Sequence, residues 1–277
     1  RLRDLLVGAA LLIVGLAGCA SSSKQQKGES AGAVGGESGE ALPDPSDQPV
    51  ASEAKGAQGA KKRVDGPPNK RIQRAVKIME KGNLQRAENI FGRLADDSEH
   101  GFLAQYNLGV IAEQKGNAGD AARRYTKSLS QNPDFSPALL NLVRLYIRQG
   151  RVADAEEIAD KYANQRPDNL DHRVATLEVA LAKDQYDTVI QKAKEILRRD
   201  ERNVGAMVAM AKANYWMDRH ELSKAILNRA SELDSDRADI FFLYGLIAME
   251  NDENQRAISN FEKALEKNSR LAEAHNN

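Results

Sequence analysis

Hydrophobic and polar positions along this chain recur with a period of 34 residues from Pro68 to Leu271, in six copies with no insertion or deletion between them. The eighth position of each copy reads Ala75, Gly109, Val143, Leu177, Ala211 and Gly245, and the twentieth reads Ala87, Ala121, Ala155, Val189, Ser223 and Ala257. Small residues there suit two helices that cross closely. The twenty-fourth position is bulky in Phe91, Tyr125, Leu227 and Phe261, and Ala159 and Ala193 break that column. At the fifteenth, where the chain must turn, stand Gly82, Gly116 and Gly150, then Asp184, Asp218 and Asp252. Asn132-Pro133 and Arg166-Pro167 close their copies with turn signals. β-Branched residues are sparse and no stretch alternates apolar with polar, so the pattern predicts two helices per copy and an all-α fold. One such unit cannot bury its apolar face alone; stacked units can, which makes the array a solenoid.

The copies run 68–101, 102–135, 136–169, 170–203, 204–237 and 238–271. Leu108-Gly109…Gly116…Ala121…Tyr125…Pro133 and Tyr244-Gly245…Ala257…Phe261…Ala264-Leu265 resemble the tetratricopeptide repeat (TPR), whose period is the same. Copies one and four depart most, with Arg74 and Thr176 where Leu is usual. The resemblance implies a right-handed TPR solenoid of six helix pairs that binds proteins or peptides in an inner groove lined by the first helix of each pair. Ala272-Glu-Ala-His-Asn-Asn277 matches the opening of a seventh copy. Because a solenoid should end in a capping helix, the register predicts a truncated seventh repeat and further sequence beyond it.

Carrying the groove positions over from that family gives a mostly apolar surface. The fifth position reads Ile72, Tyr106, Leu140, Val174, Val208 and Phe242; the ninth reads Val76, Val110, Arg144, Glu178, Lys212 and Leu246; the twelfth reads Met79, Glu113, Ile147, Leu181, Tyr215 and Met249. Part of this set belongs to the core, since apolar helix residues are more often buried than functional. Leu140, Ile147, Val174 and Leu181 are expected at the groove centre. Asn107 and Asn141, at the sixth position, have amides able to bridge a peptide backbone, and Tyr215-Trp216 supplies aromatic anchors. Arg144, Glu178 and Lys212 would set the register of a bound amphipathic helix or extended peptide. The Lys and Asn with which some TPR domains grip a terminal carboxylate are missing, because the fifth position is apolar in every copy.

Forty basic and forty acidic residues leave a formal net charge of zero, which gives no attraction to nucleic acid. The four histidines, His100, His172, His220 and His275, lack the spacing of paired metal ligands. No nucleophile–base pair, phosphate loop or paired-carboxylate motif stands out, so the expectation is a non-enzymatic binding module without cofactor or metal.

The N-terminal segment reads as an address. Arg1 and Arg3 precede an apolar run from Leu5 to Leu16 that ends in Leu16-Ala17-Gly18-Cys19. A basic start, a short apolar centre and a small-residue end make residues 1–18 a signal peptide. Its ending resembles the lipobox of bacterial lipoproteins, which implies lipidation of Cys19, the sole cysteine of the chain. The same resemblance implies, from Ala20 in place of the Asp that retains such lipoproteins at the inner membrane, the periplasmic face of the outer membrane. Residues 19–67, rich in Gly, Ser, Ala, Gln, Glu and Pro, are predicted to form a disordered tether. Lys61-Lys62-Arg63 and Lys70-Arg71 make a solvated basic collar before the first copy.

Two families of lipid-anchored TPR adaptor resemble this chain. Residues 168–235, with the lipoprotein signal and the repeat array, are similar to the TPR lipoprotein of the adventurous gliding-motility machinery of myxobacteria. That likeness implies a scaffold with protein partners in a trans-envelope complex. The alternative is a pilotin, the TPR lipoprotein that escorts a type IV pilus secretin to the outer membrane. The apparent seventh copy and the long tether fit it less well.

Overall fold

The computed structural model describes residues 68–267, and every described residue lies in an α-helix or in a turn between helices. Copy one holds α1 (Pro68–Glu80) and α2 (Leu84–Gly92), and copy two α3 (Gly101–Gln114) and α4 (Ala118–Gln131). Next come α5 (Ser136–Arg148) with α6 (Val152–Gln165), and α7 (Leu170–Ala182) with α8 (Tyr186–Arg199). The last two pairs are α9 (Val204–Trp216) with α10 (His220–Leu233), and α11 (Ala238–Glu250) with α12 (Asn254–Lys267). The signal at 1–18, Cys19, the linker at 19–67 and the seventh-copy opening at 272–277 lie outside the described residues.

Local chemistry sets the helix ends. Asn83, Asn117, Asn169 and Asn203 each stand just before a helix, and each side-chain oxygen accepts a backbone N–H three residues on, at 2.9 to 3.2 Å. Those bonds satisfy donors that the first helical turn leaves open. Between paired helices the chain passes through the left-handed region at the fifteenth position of every copy. Gly82, Gly116 and Gly150 do so at φ of 80°, 73° and 71°, and Asp184, Asp218 and Asp252 at 55°, 58° and 58°. There the Gly116 N–H donates to Glu113 O at 2.9 Å and the Asn117 N–H to Ala112 O at 2.8 Å, closing the end of α3. The first copy departs from the rest: α2 has 9 residues where α4, α6, α8, α10 and α12 have 14. After it, Asp97 turns the chain by accepting the N–H groups of Glu99 (3.1 Å) and His100 (2.7 Å).

Within each pair the helices meet through the small and bulky columns. Ala87, Ala121 and Ala155 are fully buried, as are Phe91 and Tyr125. Where the fifth copy has Ser223 in the alanine column, its hydroxyl donates to Ala211 O at 2.8 Å, so the polar atom is satisfied in place. The core passes from copy to copy: Leu140 packs against the buried residues of both the third and fourth copies, and Leu197 against those of both the fourth and fifth. Among the first helices, α1 packs on α3, α5 on α7, α7 on α9 and α9 on α11, and α3 and α5 are linked by side chains, Asn141 with Tyr106 and Arg148 with Glu113. Their outward edges make up the inner face. The repeat unit is an all-α TPR-type solenoid of stacked helix pairs.

Candidate functional site: the inner face of the first helices

The structure divides the sequence-predicted groove residues into two sets. Ile72, Val110, Val174, Val208, Tyr215, Leu246 and Asn107 are buried. Tyr106, Leu140, Asn141, Arg144, Ile147, Glu178, Leu181, Lys212, Trp216 and Phe242 are half-buried. The fifth-position column is thus largely core in copies one, four and five, and the face that remains open is more polar than the sequence predicts. Leu140, Ile147 and Leu181 stay partly open at its centre, while Val174 is only 3% exposed.

Along that face runs a charged ladder. Arg144 on α5, Glu178 on α7 and Lys212 on α9 occupy the ninth position of consecutive copies. Glu178 accepts from Arg144 Nη2 at 2.5 Å on one oxygen, and Lys212 Nζ lies 3.5 Å from the other. A second pair closes the row: Arg237 grips Asp239 with both Nε (3.0 Å) and Nη2 (2.7 Å). Burial would push the Glu178 carboxyl up, but the charges of Arg144 and Lys212 outweigh it and hold the group at about 2. Asp239 is likewise held below the usual carboxylate range, with burial outweighed first by the Arg237 hydrogen bonds and charge and then by Lys212 and Arg144. The charges of Arg144 and Asp239 act on one another although two copies lie between them. Ladder and pair are one electrostatic cluster.

Toward the second copy lies a network of hydroxyls, an amide and one ion pair. The Tyr125 hydroxyl, carried by α4 and buried beneath the inner face, donates to Glu113, which also accepts from Arg148. Asn141 Nδ2 donates to the hydroxyls of Tyr106 (3.3 Å) and Tyr125 (3.4 Å). Its amide therefore braces the two tyrosines. Asn107 turns back on its own helix and donates to Leu103 O at 2.7 Å. At the far end Trp216 packs edge-on against Tyr215, ring centroids 5.1 Å apart, at the rim of the core of copies five and six.

Sequence reasoning missed Tyr125, Arg148, Arg237 and Asp239. Tyr125 is hidden in the bulky column of a second helix. Arg237 and Asp239 straddle the boundary between copies, where opposite charges two residues apart were the available signal. The arrangement is suited to recognition: it offers ion pairs, hydroxyls, an amide and half-open apolar side chains. Among the described residues no group of three or more His, Cys, Asp and Glu could hold a metal ion, and no helix there is long and apolar enough to cross a membrane.

This fold and face define a repeat scaffold for protein–protein interaction, and comparisons with known proteins agree. Tetratricopeptide-repeat profiles match residues 79–122 and 112–178. The chain is similar to DnaJ homolog subfamily C member 3 of Rattus norvegicus and of Mus musculus, each 22% identical over 228 residues. Both matches cover 75% of this chain and 44% of the relative, so the chain spans less than half the length of the curated relatives it matches. Among solved structures, a tetratricopeptide repeat protein from Parabacteroides merdae superposes with a TM-score of 0.59 at 18% identity, covering 76% of this chain and 82% of that one. Yeast Tom70 gives 0.54 at 15% identity, over 76% of this chain and 45% of its own. At these identities the likeness establishes the fold alone.

Proposed function

We propose that this chain is a lipid-anchored scaffold that captures segments of partner proteins along the inner face of its first helices. The observation that carries the reading is the row of half-open side chains between Tyr106 and Phe242, where the ladder and Asn141 stand among Leu140, Ile147 and Leu181. Cys19, at the end of a segment resembling a lipoprotein signal, supports attachment at the periplasmic face of the outer membrane. The residue 168–235 resemblance supports a place in a trans-envelope complex of the gliding-motility kind.

Photo-crosslinking side chains placed one at a time on the full chain test the scaffold reading. Crosslinks to envelope proteins from positions 140 and 181, and none from the exposed outer positions 161 and 229, are expected; the reverse pattern overturns it. A palmitate analogue tests the anchor. Label should enter the unaltered chain and be lost in Cys19→Ser, and equal labelling of both removes the anchor from the proposal.

A further inference from the structure

At the ladder two cations, Arg144 and Lys212, bond to one carboxylate, Glu178, while Asp239 is held by Arg237. Both oxygens of each carboxylate are already engaged. Arg144 spends a single guanidinium N–H on Glu178, and Lys212 a single ammonium hydrogen at the long distance of 3.5 Å. Their remaining donors have no carboxylate in this cluster, and the Arg144 side chain keeps 36% of its surface open. Asp234, the next acid along, accepts the Asp236 N–H and its charge acts on Arg237. Half-open apolar side chains flank the unspent donors: Leu140 one turn before Arg144 on α5, and Leu181 one turn after Glu178 on α7.

We infer that this face selects an extended peptide whose acidic side chain, set between apolar residues, lodges against Arg144 and Lys212. The inference rests on the inner face being the partner site and adds what that partner must carry. A further carboxylate would use donors that Arg144 and Lys212 do not spend on Glu178, and charge-assisted bonds in a half-desolvated site are the strong ones. Neighbouring apolar residues would cover Leu140 and Leu181.

The test uses the full chain and a library of labelled synthetic peptides with a central Glu between randomised apolar residues, beside the same library carrying Gln. Fluorescence anisotropy should show Glu members binding about tenfold or more tighter than their Gln twins. That preference should vanish in Arg144→Gln/Lys212→Gln. In the unaltered protein it should shrink as salt is raised, a readout that stands even if the double variant melts early. Equal binding of Glu and Gln members overturns the acidic selectivity and leaves the peptide groove standing. Failure of every member of both libraries to bind overturns the groove reading itself, and the selectivity with it.

Discussion

Gly109 of α3 lies flat against the ring of Tyr125 in α4, so close that a Cβ at this position would come 2.6 Å from Tyr125 Cε1. That approach lets the buried Tyr125 hydroxyl reach beneath the inner face, where it meets Glu113 and Asn141. One small residue therefore supports both the packing of copy two and the buried hydroxyl that braces inner-face residues.

Gly109→Ala should cost about 1–3 kcal/mol in urea unfolding, the usual penalty of overpacking, because the fully buried ring has nowhere to move. Gly119→Ala is the control. Its nearest neighbour is Asn117 Oδ1 at 4.0 Å, and the change should be neutral or stabilise by up to about 1 kcal/mol. A Gly109→Ala protein as stable as the parent would show that the pair tolerates a wider crossing.

Glu178→Gln should lower stability by about 1–3 kcal/mol, since it leaves two cations on the inner face without their anion. The lower end is expected because Arg144 is a third exposed and partly screened. The pH dependence has a definite sign. The folded-state carboxyl titrates at about 2 against an ordinary 4.5, so its contribution is complete above pH 4.5 and is lost as pH falls from there toward about 2. The Gln variant should show a shallower loss of urea midpoint across that window, and parallel profiles would remove Glu178 from the acid response.

How much of this was legible in the sequence differs between fold and face. The columns gave the helix pairs and the turn positions, because spacing of small and bulky residues is a local property. Exposure on the inner face is not local. Leu140 and Val174 share the fifth position, yet Val174 is buried because Gly205 lets α9 close over it; a Cβ on Gly205 would stand 3.1 Å from Val174 Cγ1. The corresponding residue over Leu140 is Asp171, and Leu140 stays half open. Likewise Asn141 could be placed on the face by its column, whereas its bonds to Tyr106 and Tyr125 depend on how neighbouring copies meet.

His172 gives a second pH signature, of the same sign as that of Glu178 and beginning at higher pH. It is fully buried at the start of α7, edge-on to the Tyr162 ring at 5.8 Å, with Nε2 3.3 Å from Asn169 Nδ2. Burial holds its pKa below the ordinary 6.5, so the folded state keeps it neutral while the unfolded chain protonates it. Its contribution is complete above pH 6.5 and is lost as pH falls below that value toward the lower folded pKa. Urea midpoints should drop through this interval in the parent and stay flatter in His172→Gln; equal slopes would assign the drop elsewhere.

The left-handed turns offer a graded test. Gly116→Ala should cost about 1 kcal/mol, because a Cβ at positive φ meets its own backbone. Gly116→Asp should cost less, since Asp holds the same conformation in copies four to six. Thermal melts that rank the two substitutions the other way would mean that side-chain contacts, not backbone conformation, decide this position.

Arg144, Glu178 and Lys212 stand 34 residues apart at each step. A chain that must keep them in line cannot gain or lose single residues between copies, because any such change would rotate one rung out of the row. It can grow or shrink by whole units, each duplication adding a rung and each deletion removing one without disturbing the others. For a protein built this way length is quantised, and its reach along a partner can be lengthened in evolution without redesigning the contact.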